Sequence, residues 1–154
     1  MSPRKASTPL KPKVLRTGDR VALIAPSRPS SADSIDRSVR HIEQRGYEVV
    51  CGSHIKAHYG YLAGSDEQRS SDLNWAFQDQ GIQAIICARG GYGSGRILDR
   101  VDYDLVAANP KILVGFSDTT ALQLALLRRS GLVSFSGALA GLDGARFQGH
   151  PADR

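Results

Sequence analysis

Lys111-Ile-Leu-Val-Gly115-Phe-Ser117-Asp118-Thr-Thr-Ala-Leu-Gln-Leu-Ala-Leu-Leu127 decides the fold. An apolar, β-branched run passes through a Gly-x-Ser-Asp corner into an apolar-periodic helix, so the stretch reads as strand, tight turn, helix. At such a corner the Ser117 hydroxyl stands clear of a sheet, and Asp118 and Thr119 open the helix with free backbone N–H groups. Two readings follow. Ser117 is an activated serine beside a positively polarised helix end, or the serine and aspartate only cap a helix. Thr119 stands where a Gly-x-Ser-x-Gly elbow has its second glycine, so the tetrapeptide alone does not choose between them.

Upstream, the same alternation repeats. Val21-Ala-Leu-Ile-Ala is a continuous apolar run, typical of a strand covered on both faces, and it ends in the loop Pro26-Ser-Arg-Pro-Ser-Ser. A helix is expected from Ala32 to Arg45, capped by Ser31, stopped by Gly46, with Ile35, Val39 and Ile42 inward. Tyr47-Glu-Val-Val-Cys reads as the second strand. The segment from His54 to Gly64 reads as a folded loop, and His54 and His58, without an acidic partner nearby in sequence, as solvent-facing. Ser65-Asp-Glu-Gln is a capping box that starts a helix running to about Gln80, with Leu73, Trp75, Ala76 and Phe77 apolar. Ile82 to Ala88 is the third strand, and short helices are expected at Arg96–Leu98 and Tyr103–Ala108. The Ser117 helix stops at Gly131, and Leu132-Val-Ser-Phe begins a fifth strand. The fold class is therefore α/β, a doubly wound, largely parallel sheet flanked by helices, Rossmann-like or flavodoxin-like. Ligands of such sheets gather at the C-terminal strand ends, where the Pro26, Arg89 and Ser117 loops all fall.

The chain has 154 residues, 41% of them hydrophobic, enough for one core and one domain. Residues 1–13 read as a flexible basic leader, with order beginning near Val14. Much of the net charge of +5 lies there, so nucleic acid is not implied. Cys51 and Cys87 fall at strand ends, where a small buried side chain is the usual reason, and suggest neither a disulfide framework nor a metal site. No stretch approaches the roughly 20 apolar residues of a membrane helix, nor is there a signal-peptide core, so a cytoplasmic protein without membrane partners is expected.

The most distinctive loop is Arg89-Gly-Gly-Tyr-Gly-Ser-Gly-Arg96. A dinucleotide fingerprint fails because Arg96 occupies the third glycine position, and no Gly-Lys-Ser/Thr is present for a P-loop. The glycines then serve turns that need positive φ, or form an oxyanion hole whose N–H groups approach a substrate carbonyl.

Arg89-Gly-Gly-Tyr-Gly, the strand into Gly115-Phe-Ser-Asp, and Gly18-Asp-x-Val-x-x-x-Ala-Pro-Ser together resemble the LD-carboxypeptidases, serine peptidases of the S66 type that include the microcin C resistance hydrolases. The resemblance runs from about Leu15 to Gly141 and implies an LD-carboxypeptidase N-terminal α/β domain over residues 14–142, followed by an irregular tail, 143–154. It implies cytoplasmic cleavage of the L,D amide to a C-terminal D-residue of murein-derived peptides, through a Ser117 ester and without metal or organic cofactor. Ser117 corresponds to the nucleophile, the Gly91 and Asp118 amides to the oxyanion donors, and Arg89 and Tyr92 to the border of the substrate pocket. Asp118 would act mainly through its amide, its carboxylate serving as a helix-start charge. The family's base is a histidine oriented by a glutamate, both from a C-terminal catalytic domain that this sequence lacks. Glu43, Glu48 and Glu67 all precede Ser117, and His150 alone follows it, in a polar tail. A non-catalytic peptide-binding or remnant domain is the alternative, and a homodimer or a complementing C-terminal domain is the expected partner. Apolar surface left bare without that domain predicts self-association.

Overall fold

The computed structural model describes residues 9–137; the tail with His150 lies outside them. Five strands, β1 (Arg20–Ile24), β2 (Glu48–Cys51), β3 (Ile82–Cys87), β4 (Ile112–Gly115) and β5 (Phe135–Ser136), form one sheet of order β2-β1-β3-β4-β5. All neighbours are parallel. This is the flavodoxin-like order, whose topological switch lies between β1 and β3.

The helices are α1 (Ala32–Glu43), α2 (Asp66–Gln78), α3 (Tyr103–Ala108) and α4 (Thr120–Ser130), with a 3₁₀ segment at Ser94–Arg100. Local chemistry sets their ends. Ser31 Oγ accepts from the Ser34 amide, both halves of the Ser65/Gln68 capping box form, and Gly131 ends α4 at φ 83°. Side chains of α2, α3 and α4 pack one face of the sheet over Ala22, Ile24, Ile85 and Leu113. Ile35 and Ile42 of α1, with Ile55 and Ala63, cover Val21, Leu23 and Ala84 on the other.

Coverage of that second face is incomplete. β1 is buried on both sides, as its apolar run requires, but β4 alternates, burying Leu113 and leaving Ile112 and Val114 half exposed. Backbone pairing also starts earlier than Val14: the Leu10 amide donates to Gly131 at 2.8 Å, and the Val133 amide to Leu10 at 2.9 Å. Two residue expectations need correction. Cys51 is exposed, because it ends an edge strand, while Cys87 on central β3 is buried. His54 has an acidic partner after all, Asp72 Oδ1 at 2.8 Å, which α2 brings from outside the loop.

Buried Lys111 precedes β4 and crosses to the far end of α2, donating from Nζ to the Ala76 carbonyl at 2.8 Å and to that of Asp79. These are carbonyls at the C-terminal end of α2, where a cation is favoured. Burial pulls the Lys111 ammonium down to about 8.

Candidate active site

The corner after β4 is built from its smallest residue outward. A Cβ on Gly115 would lie 2.4 Å from Thr119 Oγ1, so only glycine lets the chain fold back this tightly. Phe116 is extended, and Ser117 then takes φ 62°, the single non-glycine residue with positive φ among those described. A left-handed serine costs about 1–2 kcal/mol and persists only where its surroundings over-determine it. Ser117 Oγ is exposed, without a hydrogen-bond partner among the described residues, at the head of a short 3₁₀ turn that leads into α4. Neither Ser117 nor Asp118 makes a side-chain cap, so the simple capping reading fails.

The glycine loop packs against this corner. A Cβ on Gly90 would meet the Phe116 carbonyl at 2.8 Å, Ser117 Cβ at 3.0 Å and the Asp118 amide at 3.3 Å. Gly91 and Gly93 have φ of 120° and 125°, so the positive-φ requirement accounts for two of the loop glycines. The stem of Arg28 lies across Gly91, where a Cβ would come within 2.3 Å of Arg28 Cδ.

Asp118 ties three strand ends together. Its Oδ2 accepts from the Ser27 hydroxyl at 2.6 Å and from the Ser94 amide at 2.9 Å, while its carbonyl accepts from Ser94 Oγ at 2.6 Å. Burial pushes its carboxyl up, but the hydrogen bonds from Ser27, Ser94 and the Gly93 amide outweigh burial and hold it below the usual carboxylate range. The expectation that this carboxylate is only a helix-start charge is therefore too modest. It fixes where the β1, β3 and β4 loops meet.

Arg69, 1% exposed, supports the same loops from beneath. Its Nη1 donates to the Pro26 carbonyl at 2.6 Å and the Gly93 carbonyl at 2.8 Å, its Nε to Gly64 at 3.3 Å, and its Nη2 to Asp66. Arg96 closes on Asp66 with two further bonds of 3.0 Å, which hold the Asp66 carboxyl low. Nothing in the sequence marks Arg69, and Ser27 and Ser94 are marked only by falling in the Ala-Pro-Ser and glycine loops.

Arg89 and Tyr92 both emerge from the glycine loop into solvent. Arg89 reaches the Pro29 carbonyl at 3.4 Å, and Tyr92 pairs at 5.7 Å between ring centres with Tyr61, an aromatic of the preceding loop that sequence reading left without a role. Ser117, Asp118, Gly91, Arg89 and Tyr92 all belong to loops at the C-terminal edge of the sheet. Among the described residues no group of His, Cys, Asp or Glu is placed to hold a metal ion, and no helix is long and apolar enough to cross a membrane.

Comparison with known proteins places these loops in context. The chain is 40% identical over 141 residues to a probable murein peptide carboxypeptidase of Bacillus subtilis, covering 92% of this chain and 44% of that protein. It is 43% identical over 122 residues to the murein tetrapeptide carboxypeptidase of Pseudomonas aeruginosa, covering 79% of this chain and 39% of that one. The crystal structure of an MccF-like protein from Bacillus anthracis superposes with a TM-score of 0.82 at 33% identity, over 86% of this chain and 41% of that one. The chain thus spans less than half the length of the relatives it matches. Because residues 21–137 match the LD-carboxypeptidase N-terminal domain, and the strained serine and its glycine loop lie within them, the chain belongs to the S66 serine peptidase family.

Proposed function

We propose that this chain carries the nucleophile and oxyanion half of an LD-carboxypeptidase site acting on murein-derived peptides in cell-wall turnover inside the cell. The observation that carries the reading is Ser117 at φ 62°, exposed at the end of β4, with the glycine loop packed against its Cβ. Ser117 Oγ attacks the carbonyl of the L,D amide, and its proton passes to a base. The oxyanion is held by the amides of Asp118 and Gly91, donors that typically contribute roughly 3–4 kcal/mol each. Collapse expels the terminal D-residue as its amine, which takes a proton from the base, and water then hydrolyses the Ser117 ester. The protein's part before chemistry is to hold the amides in place, which Asp118 and Arg69 do by locking three loops.

The base is a histidine with its glutamate from outside the described residues, on a complementing domain. Half-exposed Ile112 and Val114 and exposed Phe116 and Phe135 supply apolar surface for such a partner. The bare Ser117 hydroxyl favours a second reading, a peptide-binding domain without turnover.

Release of D-alanine from murein tetrapeptide by the purified chain, with Ser117→Ala as control, tests both. Ser117-dependent release is the expected result once the base is present. A folded chain that binds the tetrapeptide and never releases D-alanine, even when mixed with the C-terminal domain of a relative, would establish the second reading.

A further inference from the structure

A carboxypeptidase must distinguish a free chain end from an internal peptide bond, and the difference is one negative charge. Two arginines, Arg28 and Arg89, rise from the loops that meet at the Ser117 corner, and neither charge is answered by a carboxylate among the described residues. Arg28 and Arg89 appear in none of the ion pairs among the described residues. Arg28 makes no hydrogen bond among the described residues, and Arg89 makes one long contact, 3.4 Å to the Pro29 carbonyl. The carboxylate of the site, Asp118, is already occupied by Ser27 and Ser94 and is coupled to the buried Arg69 charge.

Packing orders these groups in series. Gly90 lies against Ser117, its neighbour Gly91 lies against the stem of Arg28, and Arg89 begins the same loop and reaches back to the residue after Arg28. The Arg28 stem is held rather than loose: its Cβ, Cγ and Cδ would all lie within 3.1 Å of a Cβ on Gly91, so only glycine admits it. Both side chains therefore start at the part of the glycine loop around Gly91, whose amide the functional reading assigns to the oxyanion.

We propose that Arg28 and Arg89 form the subsite for the free carboxylate of the substrate's terminal residue, and so make the site select chain ends. This rests on the functional reading above. The carboxylate of a terminal residue is separated from its scissile carbonyl by only one N–Cα–C unit, so its binding group must come from a loop adjoining the oxyanion amides. Arginine suits the task because its planar fork meets a carboxylate with two hydrogen bonds.

The test is equilibrium binding of murein tetrapeptide and of its C-terminal amide to the chain, to Arg28→Met, to Arg89→Gln and to the double variant. Methionine keeps the apolar stem over Gly91 and removes only the charge. The chain should bind the acid roughly 10- to 100-fold more tightly than the amide, as expected for hydrogen bonds to a charged group. In the double variant that ratio should fall to near one. Equal binding of acid and amide by the unmodified chain would overturn the carboxylate subsite and leave the peptidase reading intact. So would a preference that survives in the double variant. Failure to bind either peptide would remove the functional reading, and this subsite with it.

Discussion

The hydroxyl of Ser27 donates to the carboxylate of Asp118 across 2.6 Å and 91 residues of sequence. One bond thereby joins the first strand's loop to the residue after the nucleophile. The Ser94 amide reaches the same oxygen at 2.9 Å, so Asp118 is where three loops are made rigid together.

Asp118→Ala should destabilise the chain by about 2–4 kcal/mol, since buried donors on Ser27 and Ser94 lose their acceptor. The wild type should also be acid-sensitive through this group. Its folded carboxyl lies below its unfolded value, so its contribution is complete above about pH 4 and is lost as pH falls through the folded value. Denaturant melts at pH 7 and pH 3 should differ less for Asp118→Asn than for wild type.

Ser117→Gly should abolish any hydrolysis yet raise stability by about 1 kcal/mol, because glycine adopts the positive φ without strain. Ser117→Val, with a branched Cβ at the same φ, should lower it. Thermal melts of the two variants decide the matter, and a fall in Tm for glycine would mean that the serine is not strained.

At Gly90 an alanine Cβ meets backbone as well as the Ser117 side chain, and neither gives way cheaply. Gly90→Ala should cost about 1–3 kcal/mol and displace the corner it rests on. Amide chemical shifts of Phe116, Ser117 and Asp118 should move more than those of α1.

Removing Arg69 takes the donor from the carbonyls of Pro26, Gly64 and Gly93. Arg69→Met should cost roughly 2–4 kcal/mol, because the enclosed carbonyls of Pro26 and Gly93 lose their donor while Asp66 keeps Arg96. Hydrogen exchange should rise first at Gly93 and Ser94.

The two cysteines should separate cleanly. Exposed Cys51 should react with a thiol reagent in the native protein. Cys87, fully buried with its thiol pushed up to about 12 by burial, should react only after unfolding. Mass spectrometry of native and denatured samples reads both.

Much of this fold is legible in the sequence because it rests on short-range signals. The capping box at Ser65 and Gln68, the stop at Gly131 and the unbroken apolar run of β1 each act within a few residues. Ser117 and the glycine loop were also readable, since a tight corner and a close approach demand particular residue types in particular places. Ser27, Ser94 and Arg69 were not. Their partners lie 91, 24 and 43 residues away, joined by loop packing that leaves no period in the chain. An arginine inside a helix ordinarily marks its wet face, and Arg69 is instead one of the most enclosed residues described. The Asp72 partner of His54 is hidden in the sequence for the same reason, being 18 residues on and brought close only by α2.

The pairing of Leu10 with Leu132 decides at which end of the sheet the described chain begins. Leu132 precedes β5, so this contact lies toward the N-terminal ends of the strands, opposite the edge that bears Ser117. A surface anchor attached just ahead of Leu10 would hold the protein by its underside and present the serine to solution. An array of tethered chains would therefore leave their peptide-facing loops accessible to a ligand supplied from above.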